Sequence, residues 1–464
     1  MTITRLFFSG RAAGFAALAI LGATATASAA SITHLDYKLE ISPTLKVVSG
    51  QVCGENVKPE QFRLTGPALW MTNRPENLLR GATRPCLNYQ VQLNPQEDRA
   101  RFSRYFRQAA GQRITLTTVN DLLPCPIENH EKRKTVSFSL PPQISVSMPG
   151  QALAENSFSL VSRPCDWTSG VLIGEVTNRL IGRGKTKINV VMPSTLSLHN
   201  QEKLIQWLNS GLDALKKAHG AIPVQDIQLL IFPTGPNEET VPWGQVMRGG
   251  GDSVHLYVDE TKTLAELNAD WVLVHELSHL LHPYLVSEDS WLAEGIASYY
   301  QNVLRARNGL LDQQIAWKKL LAGFHRGEKQ FSQNANLKDD TRRLMQERKY
   351  MRVYWSGAAI ALLADVQLRL ESGGQRSLDT VLGDFSACCL PTKNEKWRAL
   401  ELMKRFDELG RTNIFLQLYE KYVREAEFPS LQEAYRALGL TQTAAGVKFD
   451  ANPEALHRTI MSAD

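Results

Sequence analysis

The sequence has little surplus of charge. Its 52 basic and 47 acidic side chains leave a formal +5, and two of those five positive charges are Arg5 and Arg11 in an N-terminal stretch without acids. A protein held to nucleic acid by gross charge carries a larger excess in clustered basic faces, so that class is excluded. Beyond the N-terminus no uninterrupted apolar run approaches the ~18 residues that mark a membrane span; the best candidate, Ala358 to Ala364, is stopped by Asp365. Cysteine is sparse, at 6 residues, and no pair has Cys-x-x-Cys spacing, which argues against a cysteine-held metal. Internal repeats and low-complexity tracts are also missing. What is there, 43% apolar and 21% charged residues over a length of 464, is an ordinary globular composition with ample chain for a core.

At the N-terminus, Arg5 and Arg11 accompany an apolar run from Ala12 to Ala23, and Ala27-Ser28-Ala29 forms a small-x-small cleavage site. The run is too short for the ~20 residues a bilayer requires. The expectation is a signal peptide over residues 1–30, cleaved near Ala29 or Ala30, and an exported chain, periplasmic or extracellular. Export makes disulfides possible. Cys53, Cys86, Cys125 and Cys165 allow three connectivities. Cys388 and Cys389 are adjacent, and a bond between them closes a strained eight-atom ring, so other partners or free thiols are expected for both.

Residues 31–193 read as a β-rich accessory domain. Short β-branched or alternating runs recur at 114–119, 135–140, 143–148 and 187–192, punctuated by Pro141-Pro142, Pro149-Gly150 and Gly182-Arg183-Gly184. From about 200 the period changes, with Ile205, Leu208, Leu212 and Leu215 at helical spacing. Strand-like 227–232 and 254–258 follow, and from Thr263 onward the pattern is helical. The fold class expected is α+β, with a second domain over 194–330 and a helical C-terminal region over 331–464.

One segment carries chemistry: Trp271-Val-Leu-Val-His-Glu-Leu-Ser-His-Leu-Leu-His-Pro283. His275 and His279, four apart on a helix, point their rings to one side and can grip one metal ion. Glu276 is rotated by about 100°, beside such an ion and within reach of a water. Pro283 ends the helix, Asp289 or Ser290 caps a second, and Glu294 in that second helix is the favoured third ligand. His282 shares the face of His275 but lies about 10 Å along a continuous helix. Glu288 and Asp289 read as solvated caps. A set of two histidines and one carboxylate suits a zinc ion with one position open.

His275-Glu-Leu-Ser-His279 followed by Trp291-Leu-Ala-Glu-Gly-Ile-Ala-Ser-Tyr299 resembles the gluzincin metallopeptidases, which include aminopeptidase N and thermolysin-like enzymes. The stretches 294–311, 353–365 and 374–379 are most similar to the glycyl aminopeptidase family. The resemblance implies a thermolysin-like catalytic domain, one catalytic zinc ion, Glu276 as base, Tyr354 of a Tyr-x-x-Gly pattern stabilising the oxyanion, and aminopeptidase-like cleavage of a peptide or protein substrate. Only 14 residues separate His279 from Glu294, fewer than in aminopeptidase N. Where the family's glutamate-bearing glycine motif grips a free amine, this chain offers Gly249-Gly250-Gly251-Asp252. Gly250, Gly251 and Asp252 are therefore candidate substrate-binding residues, with 254–258 receiving the substrate by strand addition. An endopeptidase and a catalytically silent peptide- or partner-binding scaffold remain as alternatives. Nothing in the sequence speaks to oligomeric state.

Overall fold

In His34–Ile41 the side chains of Leu35, Tyr37, Leu39 and Ile41 point inward while Lys38 and Glu40 face solvent. That alternation suits a sheet buried on one side. The computed structural model describes residues 34–462 except 55–56, 59–61, 64–68, 72–84, 94–112, 127–132, 163, 331–334, 391–395, 425–426, 444–445 and 453–454. The expected signal segment lies outside the described residues.

This first strand, β1, belongs to a seven-stranded sheet with β2 (Val47–Gly54), β3 (Leu69–Met71), β4 (Cys86–Gln92), β5 (Arg133–Ser139), β6 (Gln151–Ala154) and β7 (Ser157–Val161), in the order β6-β7-β5-β1-β2-β4-β3. A three-stranded sheet of Ile114–Thr118, Ser145–Ser147 and Gly170–Gly174 shares its core, where Leu35, Val48 and Val136 join Val146, Val171 and Ile173. Cys53 bonds Cys86 across facing positions of β2 and β4, and Cys125 bonds Cys165.

A sheet of five strands follows: β8 (Val176–Arg183), β9 (Thr186–Pro193), β10 (Asp226–Pro233), β11 (Trp243–Met247) and β12 (Asp252–Val258), in the order β8-β9-β10-β12-β11. The strands β9, β10 and β12 are parallel, while β8 and β11 run antiparallel at the two edges. Helix α1 (Leu198–Lys216) makes the crossover from β9 to β10. Ser197 caps it by accepting from the Asn200 amide, and Leu208, Leu212 and Leu215 are buried among the sheet's residues.

The division between sheets therefore falls before Val176 and not at 193. The run at 187–192 reads as β in either part, but hydrogen bonds pair it with β10, and Ile188, Val190 and Met192 enter the core that also holds the C-terminal helices. The three-stranded and five-stranded sheets meet through an apolar cluster, Ile114 and Leu172 against Val191, Leu230, Phe232 and Tyr257, and through Ser147 Oγ, which accepts from Gln228 Nε2 at 2.9 Å and Asn189 Nδ2 at 3.2 Å. Within the five-stranded sheet Ser253 Oγ donates to Gln228 Oε1 at 2.6 Å.

On the face away from the three-stranded sheet, in one core with α1, lie α2 (Val272–Ser278), α3 (Ser290–Arg307), α4 (Tyr350–Glu371) and α5 (Leu378–Cys388). Gly295 of α3 and Gly357 of α4 let these two helices cross backbone to backbone; a β-carbon on either would run into the other chain. No helix among the described residues is long and apolar enough to cross a membrane. Cys388 and Cys389 are bonded to each other, contrary to the expectation from their adjacency. The chain leaves helical geometry at Cys389, with φ −128° and ψ −24°, so the two side chains are not held to helical directions.

Candidate metal centre and active site

Helix α2 is short. It tightens into a 3₁₀ turn over His279–Leu281, after which His282 is extended. The turn at Pro283 and the 3₁₀ segment Ser287–Asp289 lead into α3, which carries Glu294 in its second turn. One ligand atom from each of His275, His279 and Glu294 falls in a cluster no more than 4.8 Å across. Nε2 of His275 is 3.3 Å and Nε2 of His279 is 3.6 Å from Glu294 Oε2.

Hydrogen bonds on the far sides of both rings fix which nitrogen faces the cluster. Nδ1 of His275 sits 2.8 Å from Gln301 Oε1, an acceptor, so Nδ1 carries the proton and Nε2 keeps its lone pair. His282 does the same for His279 through one more step. Its Nδ1 donates to the Pro283 carbonyl at 2.8 Å, leaving its Nε2 to accept from His279 Nδ1 at 3.1 Å. Burial holds His282 neutral, its pKa lowered to about 3. With both Nε2 lone pairs and a carboxylate oxygen converging, the donor set fits a divalent cation of the zinc type. Glu294 stays below the usual carboxylate range despite burial, because both imidazoles and the Tyr354 hydroxyl face it.

Glu276 lies beside the cluster, buried, and burial raises its pKa to about 7. A bound cation would pull it back down. The residue against it comes from the edge strand: a β-carbon on Gly244 would stand 2.6 Å from Glu276 Cγ and 2.8 Å from Oε1. Tyr354, three residues before Gly357, stacks on His275 with ring centroids 6.2 Å apart and planes 11° from parallel. Burial and the charges of Glu294 and Glu276 push its phenol well above the ordinary value. Trp271 meets His275 edge-on at 5.3 Å.

The glycine run lies elsewhere. Gly250 accepts from the Val161 amide at 3.1 Å, Gly251 abuts Gly150, and Gly249 is held by Ser169, so this turn is packed against the N-terminal sheets. Asp252 is outside the cluster, 3.5 Å from the Arg248 guanidinium, which also donates to the His279 carbonyl. Strand 254–258 cannot take another strand, since β12 is hydrogen-bonded to β10 on one side and β11 on the other. The sheet edge beside Glu276 is β11. Asp289, expected as a solvated cap, is buried and accepts from the Ala399 amide at 3.0 Å.

Gly244, Gln301 and Arg248 are thus site residues beyond the sequence reading, as is the role of His282 in orienting His279. Gln301 had a signal: it is a polar residue seven positions after Glu294 and so on the same face of the helix. Gly244 had almost none.

Residues 272–358, from the first turn of α2 into α4, match the M61 glycyl aminopeptidase family. No curated protein matches the sequence. Among solved structures, the fold is similar to an aminopeptidase N family protein from Idiomarina loihiensis, with TM-score 0.61, 15% identity, and coverage of 88% of this chain and 78% of that one. It is also similar to an M1 zinc metallopeptidase from Deinococcus radiodurans, with TM-score 0.56, 17% identity, and coverage of 86% and 95%. A mutant of the latter bound to a Tyr-Ser-Ala substrate gives TM-score 0.53 at 18% identity and coverage of 86% and 95%. The architecture is that of the M1 aminopeptidases, α+β with a sheet-rich N-terminal part and a helical C-terminal part. It agrees with the resemblance to gluzincin metallopeptidases.

Proposed function

We propose that the protein is a zinc-dependent, aminopeptidase-like peptidase. The observation that carries this reading is the convergence of His275, His279 and Glu294, each imidazole oriented from behind, with Glu276 alongside. When bound, zinc polarises the peptide carbonyl and acidifies the attacking water. The edge of β11 receives the substrate backbone through its outward N–H and C=O groups. A carboxylate oxygen of Glu276 takes the water's proton as it adds to the carbonyl and delivers it to the departing amine nitrogen. The Tyr354 hydroxyl donates to the carbonyl oxygen as negative charge develops there. Glu276→Gln is expected to retain one zinc per chain and to lower hydrolysis by ~10²–10⁴-fold. Full turnover in a zinc-loaded variant overturns the role of Glu276, and a chain that takes up no zinc overturns the reading.

The tie between Asp252 and Arg248 favours a second reading, cleavage inside a peptide. That aspartate is engaged, and β11 itself, Trp-Gly-Gln-Val-Met, carries no acid to grip a free amine. Reporters with free and with blocked amino ends separate the two, since only an endopeptidase cleaves the blocked set. Export is proposed on Arg5, Arg11 and the Ala27-Ser28-Ala29 site, and three disulfides fit an oxidising compartment.

A further inference from the structure

At the end of α5 the bonded pair Cys388–Cys389 offers two unlike sulfurs. Cys388 is exposed, whereas Cys389 is only 7% exposed. The guanidinium of Arg405, from the helix Ala399–Gly410, lies along the pair, with Nε 3.3 Å from Cys389 Sγ and Nη2 3.7 Å from Cys388 Sγ. Glu408 holds the same guanidinium by Nη1 at 2.6 Å. Thiol–disulfide exchange is governed by access to the attacked sulfur and by the ease with which the other leaves as a thiolate. A neighbouring cation stabilises that thiolate. Both conditions select the same polarity here.

We propose that Cys388–Cys389 is a thiol-exchange site for small thiols, in which the thiolate attacks Cys388 and Arg405 stabilises the Cys389 thiolate that leaves. The new bond joins the incoming sulfur to Cys388 Sγ. The Cys388–Cys389 bond breaks, and its electron pair stays on Cys389. From there Cys389 can return, expelling the thiol and restoring the pair. Alternatively a second thiol attacks the mixed disulfide, so that two thiols become one external disulfide and the protein pair gains two electrons. The inference is independent of the peptidase reading, since neither cysteine nor Arg405 belongs to the metal cluster.

The test uses the intact protein, purified without reductant, and reduced glutathione at neutral pH, with acid quench, alkylation and peptide mapping. The expected first product carries glutathione on Cys388 and the alkylating label on Cys389, with Cys53–Cys86, set between paired strands, still closed. Arg405→Leu is expected to slow adduct formation by about tenfold through the poorer leaving thiolate, and Arg405→Lys to restore most of the rate. Glu408→Gln, which removes the competing carboxylate, is expected to hasten it and serves if the leucine variant does not fold. Glutathione on Cys389, earlier opening of Cys53–Cys86, an unchanged rate in Arg405→Leu, or alkylation of Cys388 and Cys389 before any thiol is added would each overturn the proposal.

Discussion

Gly244 has no side chain to contribute, and that is its role. The edge strand passes Glu276 so closely that an added methyl group would need the space of the carboxylate. Gly244→Ala is expected to displace Glu276 and lower kcat by about 10²-fold, the scale of a 1 Å misplacement of a reacting group. Zinc content, checked by metal analysis, should not change. His282 acts from the other side, and its loss leaves His279 Nδ1 without its acceptor. His282→Ala is expected to weaken zinc binding ~10–100-fold, read by competition with a chelator. His275, Glu276 and His279 could be read from sequence because helical spacing alone sets their directions. Glu294 could be read because the break at Pro283 forces a second helix to return. His282 stays outside the ligand cluster, but its place behind His279 cannot be reckoned along a continuous helix, because the chain tightens at His279 and His282 is extended. Gly244 is brought in by strand pairing across the sheet, which no local pattern encodes.

Among the elements, the crossing of α3 and α4 sets the distance between Glu294, one residue before Gly295, and Tyr354, three residues before Gly357. Gly357→Ala has to push the helices apart, at a cost of about 1–3 kcal/mol typical of overpacking. The expected outcome is a lower Tm together with reduced kcat, since the same movement withdraws Tyr354. A variant with a lower Tm but unchanged kcat would show that the crossing supports stability alone. The β-runs at 114–119, 135–140, 143–148 and 187–192 and the helix α1 were readable from periodicity, and α2 and α3 from the histidine spacing and the break at Pro283. The edge strand was not, because five residues with one β-branched side chain give too little signal. The hydrophobic stretch 254–258 drew the substrate-binding role instead. Its unbroken burial over Ser253–Val258 is the mark of a central strand covered on both faces.

At the scale of the molecule, the five-stranded sheet begins in what reads as the accessory domain. A chain starting at residue 194 lacks β8 and β9, exposes the side of β10, and removes Ile188, Val190 and Met192 from the common core. It is expected to show no cooperative thermal unfolding by circular dichroism, whereas the chain from residue 34 should unfold in a sharp transition. A sharp transition in the shorter chain would mean that the sheet closes without those strands. The α+β class was visible in the change of period near 200, but the junction was not. Strands on either side of a domain boundary have the same alternation, and only hydrogen-bond partners decide their allegiance.

Arg248 fastens the end of the edge strand to the carbonyl of His279 and is itself braced by Asp252. The edge strand and the end of α2 are thereby tied together, which resists their being spread by an incoming chain. On the peptidase reading, only a thread already stripped of its own structure gets through. Intact proteins would then be digested at the pace of their own fraying, whichever residues flank the bond.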